Sequence, residues 1–167
     1  MIPGHVARRA PNPLRDGTIP SVDDTIEFIK CAHADQVDKA GNPYWRHPVA
    51  VMYRLGADAT KSEKLAALLH DVIEDTTYRA EDLRRLGYSA DVIAAVELLS
   101  RPKGADRPSY QLWIRAIAAS GNRIAIKVKI ADNEDNSDPA RLAALPVEGR
   151  GIVRRYQKSL AVLRQAI

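Results

Sequence analysis

The sequence predicts an all-α fold, a helical bundle, on three observations. Apolar residues recur at three- and four-residue spacing along most of the chain. Turn-forming residues gather between those segments, in GNPYWRHP (41–48) and RPKGADRPS (101–109). No segment alternates polar and apolar residues between hairpin turns, so strands are not expected.

Each element follows in order. Residues 1–20 hold Pro3, Pro11, Pro13 and Pro20 with little periodicity, which predicts an irregular arm before a single domain over 21–167. Ser21-Val-Asp-Asp24 has the form of a capping box, in which hydroxyl and carboxylate satisfy the first free N–H groups of a helix. Val22, Ile26, Ile29 and Val37 then share a helical stripe up to Gly41. His33 falls on that stripe and reads as a core histidine with a local hydrogen bond. Pro48 suits the first turn of a helix running to about Leu55. Another helix begins near Ser62, and a short one covers 80–86. The next, 89–99, presents Val92, Ala95, Val96 and Leu99 on one face. Helices over 110–119, 123–136 and 147–167 complete the set. In the last, Ile152, Tyr156, Leu160 and Leu163 either cap the core or line a dimer interface, so the choice between monomer and homodimer stays open.

Composition narrows the class. A chain of 167 residues with 46% hydrophobic and 28% charged residues suits one soluble globular domain. The longest apolar run falls short of a membrane span, and the N-terminus has no apolar segment of the secretory type, so a cytoplasmic protein is expected. Cys31 is the only cysteine, which excludes an internal disulfide and a thiolate metal cluster. The net charge of +4 and pI near 9.3 favour anionic ligands. Nucleic acid is not the expected partner, because basic residues are scattered among acids and aromatics are few. A small phosphorylated substrate is.

The chemistry concentrates in LAALLHDVIEDT (65–76). On a helix advancing about 100° per residue, His70, Asp71, Glu74 and Asp75 share an arc of roughly 140°. Three carboxylates and an imidazole so close would repel unless protons or a cation intervene, and a divalent metal accepts both donor types. His47 lies upstream, directly before Pro48, where a turn can aim its ring inward. Downstream, VKIADNEDN (128–136) places Asp132 on another helix with Asn136 one turn later. His, then His-Asp, then Asp on separate helices is a metal-site constellation.

Those motifs, with AHADQ (32–36), resemble the HD-domain metal phosphohydrolases over residues 22–143. In the extended form HDxxEDT, the likeness is to the hydrolase domain of RelA/SpoT-type alarmone enzymes and their small single-domain relatives. The resemblance implies a metal ion, usually manganese, held by His47, His70, Asp71 and Asp132. It implies water activation and proton transfer by Glu74 and Asp75, and substrate contact by Asn136. The implied reaction removes pyrophosphate from the 3′ position of guanosine tetra- or pentaphosphate. No synthetase segment lies in the chain, so synthesis is not expected. A metal would polarise the phosphoryl oxygen and acidify bound water, and Glu74 or Asp75 could take the proton. Lys39 is expected to meet substrate phosphate, whereas Arg46, Lys127, Lys129 and Asp135 read as solvated charges.

The chain departs from the family where the base is held. Asp38 stands where the family usually carries a base-stacking arginine, Ala40 where a serine is common, and Pro139 where relatives often place threonine. Three readings therefore stand: the alarmone hydrolase, an HD phosphohydrolase for another nucleotide, and a metal- or ligand-binding module without turnover. Keeping both Glu74 and Asp75 argues against the third, since a structural metal needs neither.

Overall fold

The computed structural model describes residues 19–105, 107–143 and 152–167. Among them ten α-helices follow in order: α1 (Val22–Ala32), α2 (Arg46–Arg54), α3 (Lys61–Leu69), α4 (Val72–Asp75), α5 (Ala80–Arg85), α6 (Ala90–Leu99), α7 (Tyr110–Ala119), α8 (Arg123–Asn136), α9 (Pro139–Ala143) and α10 (Val153–Arg164). Apart from Ile19 and Pro20, the expected arm lies outside the described residues, as do 147–151 of the last expected helix. No helix among the described residues is long and apolar enough to cross a membrane.

Local chemistry starts these helices where the sequence marks them. The Ser21 hydroxyl accepts the Asp24 N–H while the Asp24 carboxylate accepts the Ser21 N–H, so two free donors of α1 are satisfied reciprocally. Thr60 and Glu63 do the same for α3, a capping box the spacing near Ser62 left unread. Ser109 and Asn122 cap α7 and α8.

Helices α3 and α8 form the centre. Leu65, Ala66, Ala67, Leu68 and Leu69 of α3 are all buried, because α1, α2, α6 and α8 pack around it. Alanines at two successive positions let those neighbours approach closely. Helix α8 is in turn covered by α2, α3, α6, α7 and α10. A helix enclosed on so many sides must either be apolar or partner most of the polar groups it carries. That condition decides the site.

Two expectations on helix extent need correction. Helix α1 stops at Ala32, and Val37 leaves the core stripe to pair with Pro43 in an isolated antiparallel bridge. The turn after Val37 is closed by Asp38, whose Oδ1 accepts the N–H groups of Ala40 and Asn42, each at 2.9 Å. This turn needs Gly41 at φ +83°, a conformation that disfavours any Cβ. The stretch from Ser62 to Thr76 is also not one helix. It breaks at Asp71 (φ −102°, ψ −4°), although the Asp75 N–H still donates to the Asp71 carbonyl at 2.8 Å. Helix α9 was not expected; Asp138 starts it by accepting the Ala140 N–H.

Truncating Leu68, which is fully buried in α3, removes core contacts that the surrounding helices cannot refill. Leu68→Ala is expected to lower stability by about 2–5 kcal/mol in urea unfolding. A loss under about 1 kcal/mol would show that α3 is not the packed centre.

Candidate active site

The break between α3 and α4 orients the first two donors. With the helix ending at Leu69, the His70 Nδ1–H donates to the Ala67 carbonyl at 2.7 Å, which leaves the lone pair on Nε2. That Nε2 is buried and makes no hydrogen bond of acceptable geometry, although Asp71 Oδ2 lies 2.9 Å away and Asp132 Oδ1 3.7 Å away. His47, on α2, brings its Nε2 to 3.1 Å from Asp132 Oδ1 and 3.9 Å from Asp71 Oδ2. The four residues read as ligands from sequence are thus brought together from α2, the α3–α4 break and α8.

The donor set fits a divalent metal. Ligand atoms of His47, His70 and Asp71 all lie within 4.8 Å of one another. A cation with bonds of about 2.0–2.2 Å sets neighbouring donors roughly 3–3.5 Å apart, close to the separations here. A buried imidazole lone pair facing carboxylate oxygens is repulsive unless a proton or a cation lies between them.

Protonation can stand in for that cation. Burial alone would lower His70, but Asp71 and Asp132 raise it well above its ordinary value, and Asp132 and Asp135 raise His47 against the same burial. Burial would raise Asp71, yet the two imidazoles hold it below the carboxylate range. Asp132 is held low by the Lys129 ammonium and then by both imidazoles, again against burial.

Around this cluster lies a cleft of about 380 Å³. Lys39 and Asn136 both line it, the first exposed at the rim. Asn136 reaches inward and donates from Nδ2 to Asp132 Oδ1 at 2.7 Å. Glu74 and Asp75 line it too, but differently. Glu74 Oε2 accepts the Arg101 N–H at 3.0 Å, Oε1 pairs with Arg107 at 3.4 Å, and its carbonyl accepts from Lys103. Both its carboxylate oxygens therefore hold the loop between α6 and α7. Asp75 is exposed overall, yet partial desolvation, Asp71 and Glu74 push its carboxyl up to about 6.

Two residues read as solvated charges are not. Lys129 is buried, donates to Asp132 Oδ2 at 2.7 Å and sits 4.3 Å from the Trp113 ring centroid. Asp135 is buried and accepts from His47 Nδ1 at 2.8 Å. Their signal was spacing, since both lie three residues from Asp132 on an enclosed helix. Lys127 pairs with Glu63 at 2.6 Å, away from the cleft, and Arg46 does not line it. His33 is buried with Nδ1 2.9 Å from Gln36 Oε1, as read. Sequence reasoning missed Tyr44, whose hydroxyl donates to Asp71 Oδ2. It also missed Arg101, Arg107, Arg141 and Arg155, which line the cleft from distant segments. The Arg155 guanidinium lies 4.4 Å from the Tyr110 ring centroid and 5.3 Å from that of Tyr156.

Comparisons with known proteins point the same way. No protein-family model matches the chain. It is 39% identical over 111 residues to the bifunctional (p)ppGpp synthase/hydrolase SpoT of Escherichia coli K12, covering 63% of this chain and 16% of that protein. It is 32% identical over 150 residues to a probable GTP pyrophosphokinase of Mycobacterium leprae, covering 85% and 18%. A solved structure, described as a metazoan ortholog of SpoT that hydrolyzes ppGpp and plays a role in starvation responses, superposes with a TM-score of 0.72 at 27% identity. The match covers 89% of both chains. The chain carries an HD-type domain of the SpoT hydrolase kind. It spans less than a fifth of the length of these two curated relatives.

The coupled charges give a pH signature. Raised histidines contribute stability that is full below their unfolded value of 6.5 and is lost as pH rises through the folded values. Depressed aspartates contribute stability present above 3.8 and lost as pH falls through the folded values. In chelator, thermal unfolding should therefore be most resistant between these limits and weaken on both sides. A divalent metal held at about 100 times its pH 8 Kd should add about 2.7 kcal/mol at pH 8, and less at that same concentration at pH 6.5. A gain independent of pH would show that metal and proton do not compete for the same atoms.

Proposed function

We propose that residues 21–167 form a metal-dependent phosphohydrolase that removes pyrophosphate from the 3′ position of guanosine tetra- or pentaphosphate, in the cytoplasm. The observation that carries this reading is the buried N₂O₂ donor cluster opening into a cleft lined by Lys39, Arg101, Arg107, Lys129, Arg141 and Arg155. Four clustered donors suit a divalent ion, and the cations suit a ligand with several phosphate charges.

In this reading His47, His70, Asp71 and Asp132 hold the metal, with manganese the expected ion. When bound, the metal supplies Lewis-acid polarisation of a phosphoryl oxygen and acidifies water. The protein does the rest. Tyr44 and Asn136 fix the Asp71 and Asp132 carboxylates by hydrogen bonds, which keeps their oxygens facing the imidazoles. Asp75 is the general base, because a carboxyl near 6 takes a proton from water more readily than an ordinary one and remains largely ionised at neutral pH. Glu74 holds the Arg101 backbone and the Arg107 guanidinium at the cleft, while the Arg101 guanidinium is held by the Pro108 carbonyl, and their charge meets phosphate there. Lys39 and Asn136, which line the same cleft, contact substrate.

Hydrolysis of another nucleotide is a second reading, and one observation favours it. Asp38 is committed to the turn at 38–42, so the residue opposite the expected base position is a loop-forming acid rather than a stacking cation. Arg155, between Tyr110 and Tyr156, offers the cleft another planar surface.

Purified protein with Mn²⁺ should release pyrophosphate from guanosine tetraphosphate, while a chromatographic panel of other nucleotides stays intact. Turnover of another nucleotide alone selects the second reading, and no turnover at high enzyme concentration removes both. Asp71→Ala should abolish bound metal and activity together. With the metal retained, Asp75→Asn should lower kcat about 10²–10⁴-fold. It should also erase the rise in rate between about pH 5 and 7 that the titration of Asp75 implies. A preserved pH profile in Asp75→Asn would return the base role to Glu74.

A further inference from the structure

His47 presents Nε2 to the donor cluster, so the proton it keeps must be on Nδ1. Two groups contend for that nitrogen. Asp135 Oδ2 lies 2.8 Å from it and can only accept, whereas the Arg141 guanidinium lies 2.9 Å from it and can only donate. If the guanidinium prevailed, the ring would carry its hydrogen on Nε2, and that atom would have no lone pair for a metal. The structure resolves the contest through the carboxylate. Asp135 Oδ2 also accepts from Arg141, so both donors converge on one oxygen and neither donates to the other. The second oxygen accepts from Arg54 Nε at 3.0 Å, and Arg54 is itself held by Asp138 at 2.6 Å. A buried carboxylate with both oxygens engaged by cations cannot rotate away from the imidazole.

We propose that Asp135 is a positioning residue that selects the metal-binding tautomer of His47 against Arg141. It acts through His47 and touches neither metal nor substrate. The inference rests on the metal reading above and adds the reason why an acid stands on α8 one turn from Asp132.

The test reads metal affinity, not turnover, by counting free Mn²⁺ with electron paramagnetic resonance. Wild-type protein that binds no divalent metal would remove the metal reading itself; every other outcome concerns Asp135. Asp135→Ala is expected to weaken Mn²⁺ binding 10–100-fold, the usual cost of losing a partner behind a metal-bound histidine. Unchanged affinity overturns the proposal. Adding Arg141→Leu removes the competing donor, so Asp135→Ala/Arg141→Leu should recover at least tenfold of a hundredfold loss. A double variant as weak as the single one overturns the tautomer selection. Asp138→Asn loosens the same network without touching His47 and should leave affinity unaltered; an equal loss there would reduce the effect to general rigidity. Circular dichroism reports whether each variant folds. Should Asp135→Ala not fold, ¹⁵N-histidine spectra of Zn²⁺-loaded wild type still decide the matter. The proposal requires a hydrogen on His47 Nδ1 and metal on Nε2, and the reverse assignment overturns it.

Discussion

Bringing Asp71, Asp132, His47 and His70 within a few ångströms of one another, in a protein interior, governs how the rest of the chain is arranged. Two carboxylates removed from water repel each other and lose hydration, and imidazole lone pairs facing them make matters worse. The arrangement persists because each group has a second, outward partner. His70 is tied to the Ala67 carbonyl, Asp71 to the Tyr44 hydroxyl, and His47 to Asp135. Asp132 is tied to Lys129 and Asn136. These outer bonds fix direction, and the inner atoms are left to share a proton or a cation. Losing an outer partner therefore turns an inner donor, even where the partner never approaches the ion.

The apolar part of the bundle serves the same end. Helices α3 and α8 are enclosed by their neighbours, and the buried leucines of α3 and alanines of both hold the helices in register. Because packed interiors do not deform gradually, the spacing between His70 and Asp132 is as rigid as the contact between their helices. The break after Leu69 is part of this device. A continuous helix would keep the residue after His70 in the ladder, whereas the break lets His70 bend its Nδ1–H back to Ala67 and turns Asp71 toward the ring.

How far the sequence discloses this follows from the range of each interaction. Caps, turn residues and three- to four-residue spacing are local, so α5 to α8 could be placed closely from periodicity alone. The histidine and aspartate order was legible because each motif carries its own local signal. What was not legible depends on enclosure. Lys129 and Asp135 look like ordinary helix charges until α2, α7 and α9 are seen to cover them. Asp38 builds the turn at 38–42 through bonds to Ala40 and Asn42, and no apolar count reports a side chain bonding to backbone. Arg101, Arg107 and Arg155 reach the cleft across dozens of residues, a distance over which a single sequence has no periodic signal.

The acidic pair shows why position within a motif does not fix a role. Glu74 and Asp75 are neighbours, and as sequence they are interchangeable candidates for handling a water proton. In the fold, one turns toward the loop after α6 and has both oxygens taken by Arg101 and Arg107. Those bonds turn its carboxylate toward the loop and tie both oxygens to it. The other faces the cleft, where desolvation and the charges of Asp71 and Glu74 favour its neutral form and so raise its basicity. The negative charge of Glu74 thus acts twice: it pairs with the Arg107 guanidinium at the cleft, and it helps to raise the carboxyl of its neighbour. A chain with only one acid at this point would have to choose between these two functions.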